Sequence, residues 1–153
     1  MVLLTETPLD VRALEAAVRD PGHGALLTFA GVARDDGTPP LRALYYEAWT
    51  EVAERELREV ADETLARWPT VKVAIAHRVG EVAVGEPSVV VTIGAPHREE
   101  AYAASRFAID TLKARVRIWK KEIYADGGAW VANRVAPDGH VTDGNRDPDG
   151  ETS

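Results

Sequence analysis

With 153 residues, 45% of them hydrophobic and 28% charged, the chain has the length and composition of one soluble globular domain with its own core. It contains no cysteine, which excludes disulfides, thiolate nucleophiles and thiolate metal sites, and no apolar run approaches the roughly 18–20 residues that cross a bilayer. The formal charge is −7, but residues 137–153 hold five acids against Arg146, leaving 20 acids and 17 bases in the rest. That near balance gives little support to a nucleic-acid partner. The N-terminus lacks a basic region followed by an apolar stretch, so a cytoplasmic protein is the expectation.

Thr7-Pro8 reads as an N-cap with proline at the first helical position, opening a short helix through Val11, Leu14 and Val18 that Gly22 and Gly24 close. Residues 25–32 are a nearly continuous apolar run of strand length, and residues 35–40 form a polar turn before β-type residues 41–49. Across 50–68, Ala53, Leu57, Val60, Ala61, Thr64 and Trp68 fall on one helical stripe, and Pro69 stops it. Val71, Val73, Ile75, His77 and Val79 alternate as in a half-buried strand. Gly80 and Gly85 mark a turn region, and 88–95 reads as a buried strand. Pro96-His97-Arg98 then leads into a helix over about 99–116, followed by a strand over 118–124 and a last apolar segment at 130–133. Helices and strands interleave without regular βαβ units. The expected fold is therefore α+β, one domain over 1–136 with a mixed or antiparallel sheet and packed helices, and 137–153 as a disordered acidic tail.

Between residues 106 and 121 six cations (Arg106, Lys113, Arg115, Arg117, Lys120, Lys121) face one acid, Asp110. Like charges at that density repel unless an anion is held among them. Leu112, Val116, Ile118 and Trp119 draw part of the run toward the core. A lysine carried with them into a dry pocket loses proton affinity and becomes a possible nucleophile or base. Lys113 and Lys120 face one cavity if the helix breaks near Val116; a solvated cationic edge is the competing reading. Arg117 and Lys121 read as surface or interface residues. His97 and Arg98 at a helix start make a compact anion site, unless Arg98 pairs with Glu99 or Glu100. Arg34 beside a polar loop either clamps a phosphate or pairs with Asp35 or Asp36, and Arg134 is no more specific. His77 reads as structural, and His23 and His140 lack metal-ligand spacing. No Walker loop, dinucleotide fingerprint, nucleophile elbow or metal cluster is present, so neither cofactor nor metal is expected.

The run Leu112-Lys113 through Ile118-Trp119-Lys120-Lys121-Glu122 resembles the signature of the large, catalytic subunit family of molybdopterin synthase. Gly31-Val32-Ala33-Arg34, Tyr46-Glu47-Ala48-Trp49, His77-Arg78-Val79-Gly80-Glu81 with Gly85-Glu86, Ala95-Pro96-His97-Arg98 and Trp130 with Asn133 follow the family's order and spacing. The resemblance covers roughly residues 5–134. It implies an α/β hammerhead fold, and a homodimer at the centre of a heterotetramer with two small ubiquitin-like sulfur-carrier subunits. The carrier's Gly-Gly C-terminus, activated as a thiocarboxylate, would deliver sulfur to cyclic pyranopterin monophosphate and form the dithiolene of molybdopterin. By the same resemblance Lys113 is the catalytic lysine and Lys120 assists it. His97, Arg98, Arg34 and Arg134 would bind substrate anions, some of them across the dimer. Arg117 replaces the family's usual proline and is a candidate addition to the anion site; Trp49 replaces a common tyrosine. The expected protein is a sulfurtransferase with no membrane or nucleic-acid partner. The alternative is a non-catalytic anion-binding scaffold that docks a ubiquitin-like partner, and a general phosphate-ligand domain is a third reading.

Overall fold

The computed structural model describes residues 1–35, 37–127 and 132–133. In chain order the elements are β1 (Val2–Thr5), α1 (Val11–Ala17), β2 (Ala25–Val32), β3 (Leu41–Ala48), α2 (Thr50–Arg67), β4 (Lys72–Arg78), β5 (Gly80–Ala83), β6 (Pro87–Ala95), α3 (Arg98–Arg115), β7 (Ile118–Tyr124) and β8 (Ala132–Asn133). They form two four-stranded sheets, ordered β1-β4-β6-β2 and β5-β3-β7-β8. Only β1 and β4 run parallel; the other described pairings are antiparallel. This is the α+β hammerhead architecture that the resemblance implied.

Alternation along β4 and β6 builds the first sheet's two cores. Val73, Ile75, Val89, Val91 and Ile93 point to one face, where they meet Ala53, Leu57 and Val60 of α2 and Ala104, Ala108 and Leu112 of α3. Ala74, Ala76 and Val90 point to the other, under Leu14 of α1 and Val18 just beyond it. Strand β6 is buried from Ser88 to Ala95 because it lies inside the sheet with helices over both faces, which explains its unbroken apolar run. No helix among the described residues is long and apolar enough to cross a membrane.

Two local readings need correction. Helix α1 starts at Val11 with Asp10 as its cap, whose side chain accepts from the Ala13 N–H at 3.0 Å. Thr7 instead bonds the Thr5 hydroxyl through its own hydroxyl and backbone N–H. An aspartate bonding the third N–H of a helix outcompetes a threonine one turn too early. The region of Gly80 contains strand β5, with positive-φ glycines at 80 and 85 making its ends. The proposed tail, 137–153, lies outside the described residues, as do Trp130 and Arg134.

Candidate active site

Helix α3 stops where the sequence reading required. Val116 caps it in an extended conformation, φ −68° and ψ 125°, and the chain turns directly into β7. Lys113 therefore sits in the last turn of a helix whose Leu112 is anchored in the core. Lys120 stands on a strand that starts three residues after the helix ends. Alternation along β7 then decides which lysine enters the site. Lys120, Glu122 and Tyr124 share one face and line a cavity of ≈ 490 Å³ with Lys113. Lys121 points to the other face and pairs with Glu47.

Two further cations of the run, Arg115 and Arg117, are answered by glutamates of neighbouring elements. Arg115 pairs with Glu63 of α2. Arg117 places Nε at 2.7 Å and Nη2 at 2.6 Å from Glu56 Oε1, while its backbone N–H reaches Oε2 at 2.8 Å. The Glu56 side chain is only 11% exposed, so this arginine ties the α3–β7 link to α2 and is not among the cavity-lining residues. Its expected place in the anion site is not where the fold puts it.

The other walls come from the end of β2 and its loop (Gly31, Val32, Arg34), from Leu44 and Tyr46 of β3, and from Ser88 of β6. Ala33 fixes the approach of Arg34: its N–H donates to the Glu86 carbonyl at 2.9 Å and its carbonyl accepts from Gly85 at 2.7 Å. One oxygen of Asp35 accepts from the N–H groups of Gly37 and Leu41, closing the loop over the cavity. Gly31 is required for close approach, since a Cβ there would stand 2.6 Å from a methyl of Val89.

Lys113 is half-buried, and its ammonium is pushed below the usual lysine range first by loss of water and then by the charge of Lys120. An amine so placed is neutral more often than a surface lysine and is available to attack or deprotonate. Beside Lys120 on the same face of β7, Tyr124 donates to Glu122 at 2.5 Å, so the one carboxylate among these β7 residues is itself hydrogen-bonded. Neither residue was singled out from sequence; the period-two register from Lys120 was the available signal.

His97 and Arg98 are exposed at the opposite end of α3, roughly 22 Å along the axis from Lys113 at 1.5 Å per residue. One chain does not bring them to the cavity. His77 is 3% exposed and lies with its ring edge against Tyr46, as its structural reading expected. Burial first, and the Lys113 charge as well, lower its pKa to about 4, against a raising hydrogen bond from Nδ1 to the Arg78 carbonyl.

Residues 4–115 match the family described as MoaE protein. The molybdopterin synthase catalytic subunit of Halalkalibacterium halodurans is 39% identical over 134 residues, spanning 86% of this chain and 85% of that one. Its counterpart from Nostoc sp. is 42% identical over 133 residues, 84% of this chain and 80% of that one. A molybdopterin synthase structure from Staphylococcus aureus superposes with a TM-score of 0.79 at 32% identity, covering 83% of this chain and 93% of the other. A complex of subunits 1 and 2 of molybdopterin-converting factor from Helicobacter pylori shares the fold, with a TM-score of 0.69 at 18% identity over 84% of this chain and 88% of the other. With a family match across most of its length and relatives of this similarity, the chain belongs to the MoaE protein family.

Proposed function

We propose that the chain is the catalytic subunit of a molybdopterin synthase. It would transfer sulfur from the thiocarboxylated C-terminus of a small ubiquitin-like carrier to cyclic pyranopterin monophosphate. The observation that carries this reading is the cavity shared by Lys113 and Lys120, in which one amine is desolvated and held toward its neutral form by the other's charge. A docking scaffold gains nothing from a desolvated lysine, whose burial costs free energy that only chemistry returns as rate.

In this reading Lys113 reacts with or activates the carrier's terminal carbonyl. Lys120 and Arg34 stabilise the negative charge of the thiocarboxylate and of the substrate phosphate. Cations already in place around a developing oxyanion are typically worth about 3–4 kcal/mol each in the transition state. His97 and Arg98 reach the cavity from the second copy of a homodimer, because within one chain they sit at the wrong end of α3. Arg134 completes the substrate-anion contacts. With no cysteine in the chain, the sulfur arrives on the partner.

The test is a single-turnover reaction of purified protein with thiocarboxylated carrier and the pterin precursor. Dithiolene formation supports the enzyme. Tight carrier binding with no product would support the scaffold.

A further inference from the structure

One wall of the cavity is neutral. Tyr46 of β3 stands directly opposite Lys120 of β7 in the sheet register and lines the same cavity as Lys113. Residues paired in this way have Cβ atoms about 4.5–5.5 Å apart. Its ring meets the His77 ring edge-on, with centroids 5.3 Å apart and planes at 72°. His77 is held in turn by its Nδ1–H, which donates to the Arg78 carbonyl at 2.8 Å. Burial raises the Tyr46 phenol above its ordinary value, outweighing the Ser88 hydroxyl that acts the other way. The phenol keeps its proton across the working range, so Tyr46 brings an O–H group to the cavity that both lysines line.

We propose that the Tyr46 hydroxyl donates a hydrogen bond to the terminal carbonyl oxygen of the carrier as charge develops there, with His77 as the positioning residue that holds its ring. The proposal rests on the sulfur-transfer reading of the site. Once the sulfur has bonded to the pterin, the carrier is attached as a thioester, and water must release it. Water adds to the thioester carbon while its proton passes to the neutral Lys113 amine, and the carbonyl π pair moves onto oxygen. Collapse restores the C=O, and the pterin-bound sulfur leaves with the C–S electron pair and takes the proton back from Lys113, freeing the carrier as a carboxylic acid that ionises to solvent. The charge on this oxygen is greatest between these two events, so a donor aimed there acts more on the rate than on carrier affinity.

The experiment is single-turnover transfer in the assembled complex, with carrier affinity and melting temperature read on the same samples. Tyr46→Phe is expected to slow transfer on the order of a hundredfold, the usual loss for one oxyanion donor, while carrier affinity changes far less. Tyr45→Phe, which removes a hydroxyl from the opposite face of β3, should leave the rate unchanged. His77→Phe keeps an aromatic edge against Tyr46 and should hold the rate nearer wild type than His77→Ala. If Tyr46→Phe melts early, rates are compared below both melting temperatures at saturating carrier. A wild-type rate for Tyr46→Phe overturns the proposal, and equal losses in the two His77 variants overturn the positioning role. Absence of transfer by the wild-type protein instead overturns the reading of the site, and this inference with it.

Discussion

At the residue scale, the site turns on proton affinity. Two ammonium groups sharing a cavity disfavour each other, so removing Lys120 lets Lys113 regain its proton more readily. In Lys120→Ala the Lys113 pKa should rise, and the rate limb that depends on the neutral amine should move to higher pH. Titrating the Lys113 side chain by NMR in both proteins checks this; an unmoved pKa would mean the two charges do not meet. His77 supplies a second titration. Its unfolded ring binds a proton near 6.5 and its folded ring near 4, so the unfolded state holds more protons between those values. That stability is complete above pH 6.5 and is lost as the pH falls toward 4. Between pH 7 and 5 the wild-type protein should lose about 2 kcal/mol that His77→Gln does not lose, measured by urea unfolding at each pH. Residue type and neighbours made Lys113 and Lys120 readable from sequence. The cross-strand partner of Lys120 was not, because Tyr46 is distant in the chain and only strand register brings it opposite.

Elements set these positions through alternation and close packing. The long α2 and α3 and the buried β6 were legible because their apolar patterns run for many residues. Strands β1 and β5 are four residues each, too short to show a period, and are defined by their neighbours. The start of α1 was misplaced because two capping candidates lay within three residues of each other, and hydrogen-bond geometry chose Asp10. One element contact is tight enough to predict from. A Cβ on Gly94 of β6 would lie 2.1 Å from the Val18 carbonyl at the end of α1 and 2.8 Å from His23 Nδ1. Gly94→Ala should therefore push α1 off the sheet and cost about 1–3 kcal/mol, read as a lowered melting temperature. Because no residue of α1 lines the cavity, residual folded protein should keep its transfer rate.

For the whole molecule, five of the six cations in the run resolve into two populations. Arg115, Arg117 and Lys121 are answered by Glu63, Glu56 and Glu47, while Lys113 and Lys120 are turned into the cavity. The sequence reading of a lysine pair at a helix break holds because Val116 ends α3. Its grouping of His97 and Arg98 with them is not met within one chain. The homodimer reading makes that separation testable. Lys113→Ala and Arg98→Ala are each expected to be inactive alone, and co-assembled they should restore activity at about a quarter of the sites, since half the dimers are mixed and each has one intact site. No recovery would place both residues in the same chain's site. The central claim is that the desolvated amine of residue 113 does chemistry on the carrier. Its most direct test is single-turnover sulfur transfer by Lys113→Ala at saturating carrier. The expected rate is at least about a thousandfold below wild type, with melting temperature and carrier affinity preserved. A rate within a few-fold of wild type would contradict it.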